Sequence, residues 1–261
     1  MPDLSVTLVQ SDLVWEDSAA NLAALKGQLP SGEMDTDLIV LPEMFATGFS
    51  MNPAPIAQTM DGPAVQWMRA LAAEKTAAVT GSLIIAEDGN YYNRLIWAAP
   101  DGAIATYDKR HRFRMAGEHD VYAAGNRLLT VDWRGWRIRP FICYDLRFPL
   151  WTRNLDNAYD VALFVANWPE RRAPHWRQLL IARAIENLSY VVGVNRVGTD
   201  GNGVFYSGDS AVIAPEGEVL FESRIDAGCH TQVLSRERLD TYRQTFPAWM
   251  DADQDMLLPP R

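Results

Sequence analysis

The chain has 261 residues, 48% of them hydrophobic, and a formal charge of −9. That length and apolar content suit one α/β domain with a sizeable core. Lys and Arg are scattered among acids, which leaves no basic stripe for a nucleic acid, and no run of about 18 apolar residues offers a membrane span.

The amino-terminal MPDLSVTLVQ lacks a basic start, an apolar stretch and a small-residue cleavage site, so it reads as a first strand rather than an export signal. Helical spacing over Ser18 to Leu29 leads to the strand DLIVLP, and a second helix over Pro63 to Lys75 opens with Pro in its first turn. AAVTGSLII, RLIWAA, AIATYD, LLTVDW and RPFIC then read as strands. EDGN, PDGA and WRGW, with PEGE further on, supply the Gly that tight antiparallel hairpins require. VALFVAN and YVVGVN flank a third helix over Pro174 to Asn187. SAVIAP, EVLFE and a fourth helix over Ser235 to Phe246 complete the pattern. Leu38 to Leu41, Val161 to Ala166 and Tyr190 to Val194 are apolar at almost every position, as in strands covered on both faces. A mixed sheet, or two packed sheets with helices outside, satisfies these elements. Residues 1–261 form a single domain in this reading, with an irregular acidic tail over about 247–261.

Two cysteines, Cys143 and Cys229, make neither a disulfide framework nor a thiolate metal cluster, and a reducing cytoplasm is the expected compartment. Chemistry in open α/β sheets collects beyond the carboxyl ends of buried strands. That rule selects Glu43 after LIVLP, Lys109 after IATYD, Cys143 at the end of RPFI, and Asn167 with Trp168 after VALFVA. A thiol nucleophile needs a base and its oxyanion needs a positive partner, so Glu43, Lys109 and Cys143 make a kit for breaking an amide. The Tyr144 backbone N–H can join Lys109 at the oxyanion, and the lysine charge is expected to hold the thiol pKa down. Taken singly, Cys143 can be a small core residue, Glu43 a turn-closing carboxylate and Lys109 a solvated cation of KRHRFR. His111 or His119 offers a rival Cys-His arrangement, and His111, Glu118, His119 and Asp120 a metal site of unfamiliar spacing.

The motifs LPEMFATGF, YDKRHRF and ICYDLRFP, in that order, resemble the nitrilase superfamily of carbon–nitrogen hydrolases over about residues 4 to 225. The resemblance implies a four-layer α-β-β-α sandwich, a Cys-Lys-Glu mechanism without cofactor or metal, and homodimers formed through helices beside the active site. It adds Glu118, in RMAGEHD, as a second carboxylate that positions Lys109 and the substrate; read alone, Glu118 is an exposed loop acid. RMAGEH, CYDLRFP and ANWPERR look most like the omega-amidases, which act on 2-oxoglutaramate and 2-oxosuccinamate. The implied substrate is a small anionic monoamide. Arg147, Arg171 and Arg172 are candidates for its carboxylate, unless they pair with surface acids such as Asp145 or Glu170. Phe45, Trp168 and Tyr206 are candidate pocket walls. Arg112 departs from the apolar residue of many relatives and puts the packing of its loop in question. Nitrile, N-carbamoyl amine or deaminated glutathione hydrolysis, or a silent binding protein of the same fold, remain alternatives.

Overall fold

The computed structural model describes residues 2–32 and 34–253. The first half of the chain supplies strands β1 (Leu4–Gln10), β2 (Leu38–Val40), β3 (Ala78–Glu87), β4 (Asn90–Ala98) and β5 (Ile104–Asp108). The second half supplies β6 (Val131–Trp133), β7 (Trp136–Ile142), β8 (Val161–Ala166), β9 (Tyr190–Asn195), β10 (Val197–Thr199), β11 (Phe205–Ile213), β12 (Val219–Arg224) and β13 (Gly228–Leu234). Helices are α1 (Ser18–Gln28), α2 (Pro63–Lys75), α3 (Glu118–Val121), α4 (Pro149–Thr152), α5 (Ala173–Asn187) and α6 (Arg236–Thr245).

The helix starts follow the local chemistry. Asp17 accepts from the Ala20 N–H and Ser235 from the Arg238 N–H, while Pro63 and Pro174 occupy first-turn positions where no amide bond is lost. Asp88-Gly89 and Arg134-Gly135 form two-residue hairpin loops, and all four residues have positive φ, as the twist of flanking strands requires.

One sheet runs β13-β1-β2-β3-β4-β5, and the other β10-β11-β9-β8-β7-β6 with β12 beside β11. Each holds a parallel trio, β1-β2-β3 and β7-β8-β9, with antiparallel flanks. Strand alternation sorts the apolar residues into layers. Leu4, Val6, Leu8, Leu38 and Val40 face the second sheet and pack with Trp136, Ile138 and Phe141, whereas Val9, Ile39 and Leu41 turn to the opposite side, with Val65, Met68 and Leu71 of α2. Trp97 meets Trp133 edge-on across the sheets at 6.3 Å. On the far side α5 lies on β9, where a side chain at Gly193 would meet Leu180 Cδ1 at 2.7 Å. The order of layers is helix, sheet, sheet, helix.

The four-residue helices α3 and α4 escape the sequence reading, and so do two strands. β10 has three residues, and β13 is a largely polar edge strand, GCHTQVL, paired antiparallel to β1 and placing Cys229 opposite Val9. Of the expected irregular tail, residues 247–253 are described and contain a 3-10 turn over Ala248–Asp251; the remainder lies outside the described residues.

Candidate active site

Three chain reversals bring the reactive groups together. After β2 the chain turns at Pro42, and Met44, at φ 44°, gives its N–H to Ser82 Oγ at 2.8 Å. This leaves Glu43 between the sheets and fully buried. Lys109 follows β5, with its N–H bonded to the Asn93 carbonyl at 3.0 Å. Cys143 immediately follows β7 at φ 44°, a left-handed conformation that costs a residue with a side chain about 1–2 kcal/mol and therefore has to be held by its surroundings.

Lys109 Nζ donates to Glu43 Oε1 at 2.8 Å and to Glu118 Oε1 and Oε2 at 2.9 and 3.0 Å. Asn93 Nδ2 donates to Glu43 Oε1 at 2.8 Å and to Glu118 Oε1 at 3.3 Å. The second sheet grips Glu43 as well, because the Asn167 N–H donates to Oε2 at 2.7 Å and Asn167 Nδ2 to the Glu43 carbonyl at 2.5 Å. The Phe113 N–H donates to Glu118 Oε2. Cys143 Sγ lies 4.0 Å from the Asn167 carbonyl and near enough to Glu43 and Lys109 to feel both charges.

Burial alone would favour a neutral Lys109 amine, but Glu118, Glu43 and the thiol position together raise its pKa, so the ammonium is fixed. Glu118 is pushed up by burial and by Glu43, against the pull of Lys109. Cys143 is pushed well above the ordinary thiol value by burial first and then by Glu43, which outweigh Lys109. Lys109 does pull the thiol pKa down as expected, but burial and two carboxylates outweigh it, so the net shift is upward. With its pKa raised, the Cys143 sulfur is held as the thiol beside the Glu43 carboxylate.

Cys143 opens into a cavity of about 650 Å³ whose wall includes Tyr144, Trp168, Tyr206 and Arg147, Arg171 and Arg172. The Arg147 guanidinium stacks on Trp168 at 4.8 Å and meets His175 Nδ1 at 2.9 Å, while Arg172 stacks on Phe113 at 5.1 Å. Burial and the nearby charge of Arg171 lower the Arg172 pKa. Pairing of these arginines with Asp145 is excluded, since that residue is buried away from the surface and bonded to Tyr107, His111 and Ile142. Phe45 is a second correction. It packs in the α2-facing core, 6.0 Å from Trp67, and does not reach the cavity. The turn at Met44 sends Phe45 outward and Phe49 inward, where the Phe49 ring lies 5.1 Å from Lys109 Nζ and lines the cavity.

Glu118 is fully buried at the start of α3 rather than exposed. Its loop is tied by Arg112, whose Nη1 donates to the Tyr122 carbonyl at 3.0 Å, so the departure at this position substitutes a polar tie for apolar packing. His111 bonds Asp145 through Nδ1 at 2.8 Å and stacks on Phe148 at 3.7 Å, and His119 faces Asp120; neither is brought to Cys143. Among the described residues, no three His, Cys, Asp or Glu side chains gather as metal ligands. Asn93 and Phe49 escape the sequence reading. Asn93 sits mid-strand, and only its register opposite Ile84 with Glu43 nearby explains a buried amide there.

The profile of a family described as carbon-nitrogen hydrolase matches residues 5–244. The chain is 51% identical to the omega-amidase YafV of Escherichia coli K12, over 97% of this chain and 98% of that protein. It is 29% identical to the 2-oxoglutaramate amidase of Bacillus subtilis, over 97% and 98%. The crystal structure of XC1258 from Xanthomonas campestris, a CN-hydrolase superfamily protein with an arsenic adduct in its active site, superposes with a TM-score of 0.95 at 47% identity, covering 97% of this chain and 98% of that one. With a matching architecture and a profile spanning nearly its whole length, this chain belongs to the carbon-nitrogen hydrolase family.

Proposed function

We propose that the protein is an omega-amidase that hydrolyses the terminal amide of 2-oxoglutaramate and 2-oxosuccinamate through a thioester at Cys143. The observation that carries this reading is a thiol at the floor of an arginine-walled cavity, backed by Lys109 held between Glu43 and Glu118. Both the half-identical Escherichia coli relative and the Bacillus subtilis relative bear names of this activity.

In this mechanism Glu43 takes the Cys143 proton as sulfur attacks the amide carbon. Lys109 and the Tyr144 N–H receive the developing oxyanion, and Glu118 keeps Lys109 charged and aimed. Glu43 then gives its proton to the departing ammonia, and the thioester remains. Water, deprotonated by Glu43, attacks the thioester and releases the dicarboxylate. Neither metal nor organic cofactor takes part in these steps. Arg147, Arg171 or Arg172 binds the substrate carboxylate, with Trp168 and Tyr206 as walls.

We also propose a soluble cytoplasmic homodimer that binds neither nucleic acid nor membrane. Its support is a described chain with no helix long and apolar enough to cross a membrane, two unpaired cysteines and half-exposed Ile185 on α5. Ammonia release from 2-oxoglutaramate, 2-oxosuccinamate, glutamine, a simple nitrile and an N-carbamoyl amino acid tests the substrate; preference for any of the last three overturns the assignment.

A further inference from the structure

Two residues beyond the nucleophile lies a carboxylate that the proposed chemistry does not use. Asp145 is fully buried, and its oxygens are met by Tyr107, His111 and Ile142, donors from two separate segments and none of them an Arg or Lys. Oδ1 accepts the His111 N–H at 2.9 Å and meets His111 Nδ1 at 2.8 Å. Oδ2 accepts the Tyr107 hydroxyl at 2.7 Å and the Ile142 N–H at 3.1 Å. Tyr107 and His111 stand two residues before and two residues after Lys109, and Ile142 immediately precedes Cys143.

The surroundings stiffen both ends. Trp151 Nε1 donates to the Tyr107 hydroxyl at 2.9 Å. The His111 ring lies on Phe148 at 3.7 Å and 7°, and Phe148 meets the Tyr144 ring edge-on at 5.1 Å. A charge taken out of water is costly unless several good donors satisfy it, and here the donors come from the neighbours of the ammonium and of the thiol.

We infer that Asp145 is a positioning residue for the hydrolytic reaction: through Tyr107, His111 and Ile142 it fixes the spacing between Lys109 and Cys143 and holds Cys143 in its left-handed turn. The inference rests on the proposed amidase reading. Asp145 touches neither sulfur nor ammonium, so its effect passes through geometry. A misplacement of about 1 Å in such a site can cost on the order of 10²-fold in rate.

The test is a double-mutant cycle on the full-length protein. Native protein, Tyr107→Phe, His111→Asn, Asp145→Asn and each double variant with Asp145→Asn are assayed for kcat and KM on the substrate of the panel that the native protein hydrolyses best, and melting is followed by circular dichroism. Expected results are a fall in kcat of about tenfold for Tyr107→Phe and for His111→Asn, and about 10²-fold for Asp145→Asn. KM stays within threefold, because the arginines and the cavity wall are untouched. In the Asp145→Asn background, the Tyr107 and His111 changes cost little more. Loss of melting temperature with native kcat in the two single-donor variants overturns the inference, as does full additivity of their losses with Asp145→Asn. Should Asp145→Asn fail to fold, the Tyr107→Phe and His111→Asn rates still decide. Native preference for a nitrile or carbamoyl substrate refutes the substrate assignment and leaves the comparison among variants intact.

Discussion

Lys109 Nζ lies 2.8 Å from Glu43 Oε1, so the ammonium and the proposed base are joined in the resting protein. A carboxylate held this way has one oxygen occupied by Lys109 and Asn93 and the other by the Asn167 N–H. Its proton-accepting direction is therefore set by the protein and not by the substrate.

Replacing that carboxylate with its amide isostere, Glu43→Gln, keeps the volume and removes the base. The expected fall in kcat is about 10²- to 10⁴-fold. Because Glu43 also serves the water attack, the thioester persists, and intact mass after addition of 2-oxoglutaramate gains the acyl group without ammonia. Continued hydrolysis with no trapped adduct would count against a covalent route.

The raised Cys143 pKa has a sign that stability measurements can read. Between pH 9, the ordinary thiol value, and the higher native value, the unfolded chain has lost the proton that the native protein retains. The native state then binds more protons, and stability falls as pH rises above 9. Cys229, pushed up to about 11 by burial, acts in the same direction. The informative quantity is the difference between native protein and Cys143→Ala in melting temperature against pH. Native protein is expected to lose stability more steeply from pH 9 upward, and parallel curves would refute the raised value.

Arg172 stacks on Phe113 at the cavity wall, partly desolvated and beside Arg171. Loss of a charge-assisted bond worth about 1.5–3 kcal/mol raises KM about 10- to 150-fold. Arg172→Ala is therefore expected to weaken kcat/KM for anionic monoamides and to leave a neutral amide nearly unchanged. Equal losses on both substrates would remove Arg172 from carboxylate recognition and leave Arg147 and Arg171.

Phe45 and Phe49 are four residues apart and have opposite expected phenotypes. Phe45→Ala empties a core site beside Gly81, where a Cβ would already meet Phe45 Cδ1 at 2.9 Å, and is expected to cost about 3–5 kcal/mol of stability with KM preserved. Phe49→Ala removes the ring 5.1 Å from Lys109 and changes kinetics more than melting. Denaturant titration together with steady-state kinetics on both variants separates the two roles.

Much of this architecture is legible where one residue's local physics decides. Glycines that must adopt positive φ mark the hairpins at Gly89 and Gly135, and Pro63 and Pro174 mark helix starts. The apolar runs of β2, β8 and β9 announce strands covered on both sides. Legibility ends where several segments act together. Glu118 looks exposed because its burial depends on a loop folding over Lys109. Asp145 looks like a surface acid because its four donors come from three other positions. The thiol pKa cannot be read from one nearby lysine when two carboxylates and burial also act. Phe45 and Phe49 exchange places because the left-handed turn at Met44 breaks the alternation of the preceding strand.

Asn167 reaches Glu43 from the opposite sheet with both its backbone and its side-chain amide. The seam between the sheets is thus sewn at the very carboxylate proposed to receive the proton, so under that proposal a slight shear of one layer over the other is expected to disarm the protein while each layer keeps its strands. Turnover is accordingly the most sensitive gauge of how well the two halves remain seated.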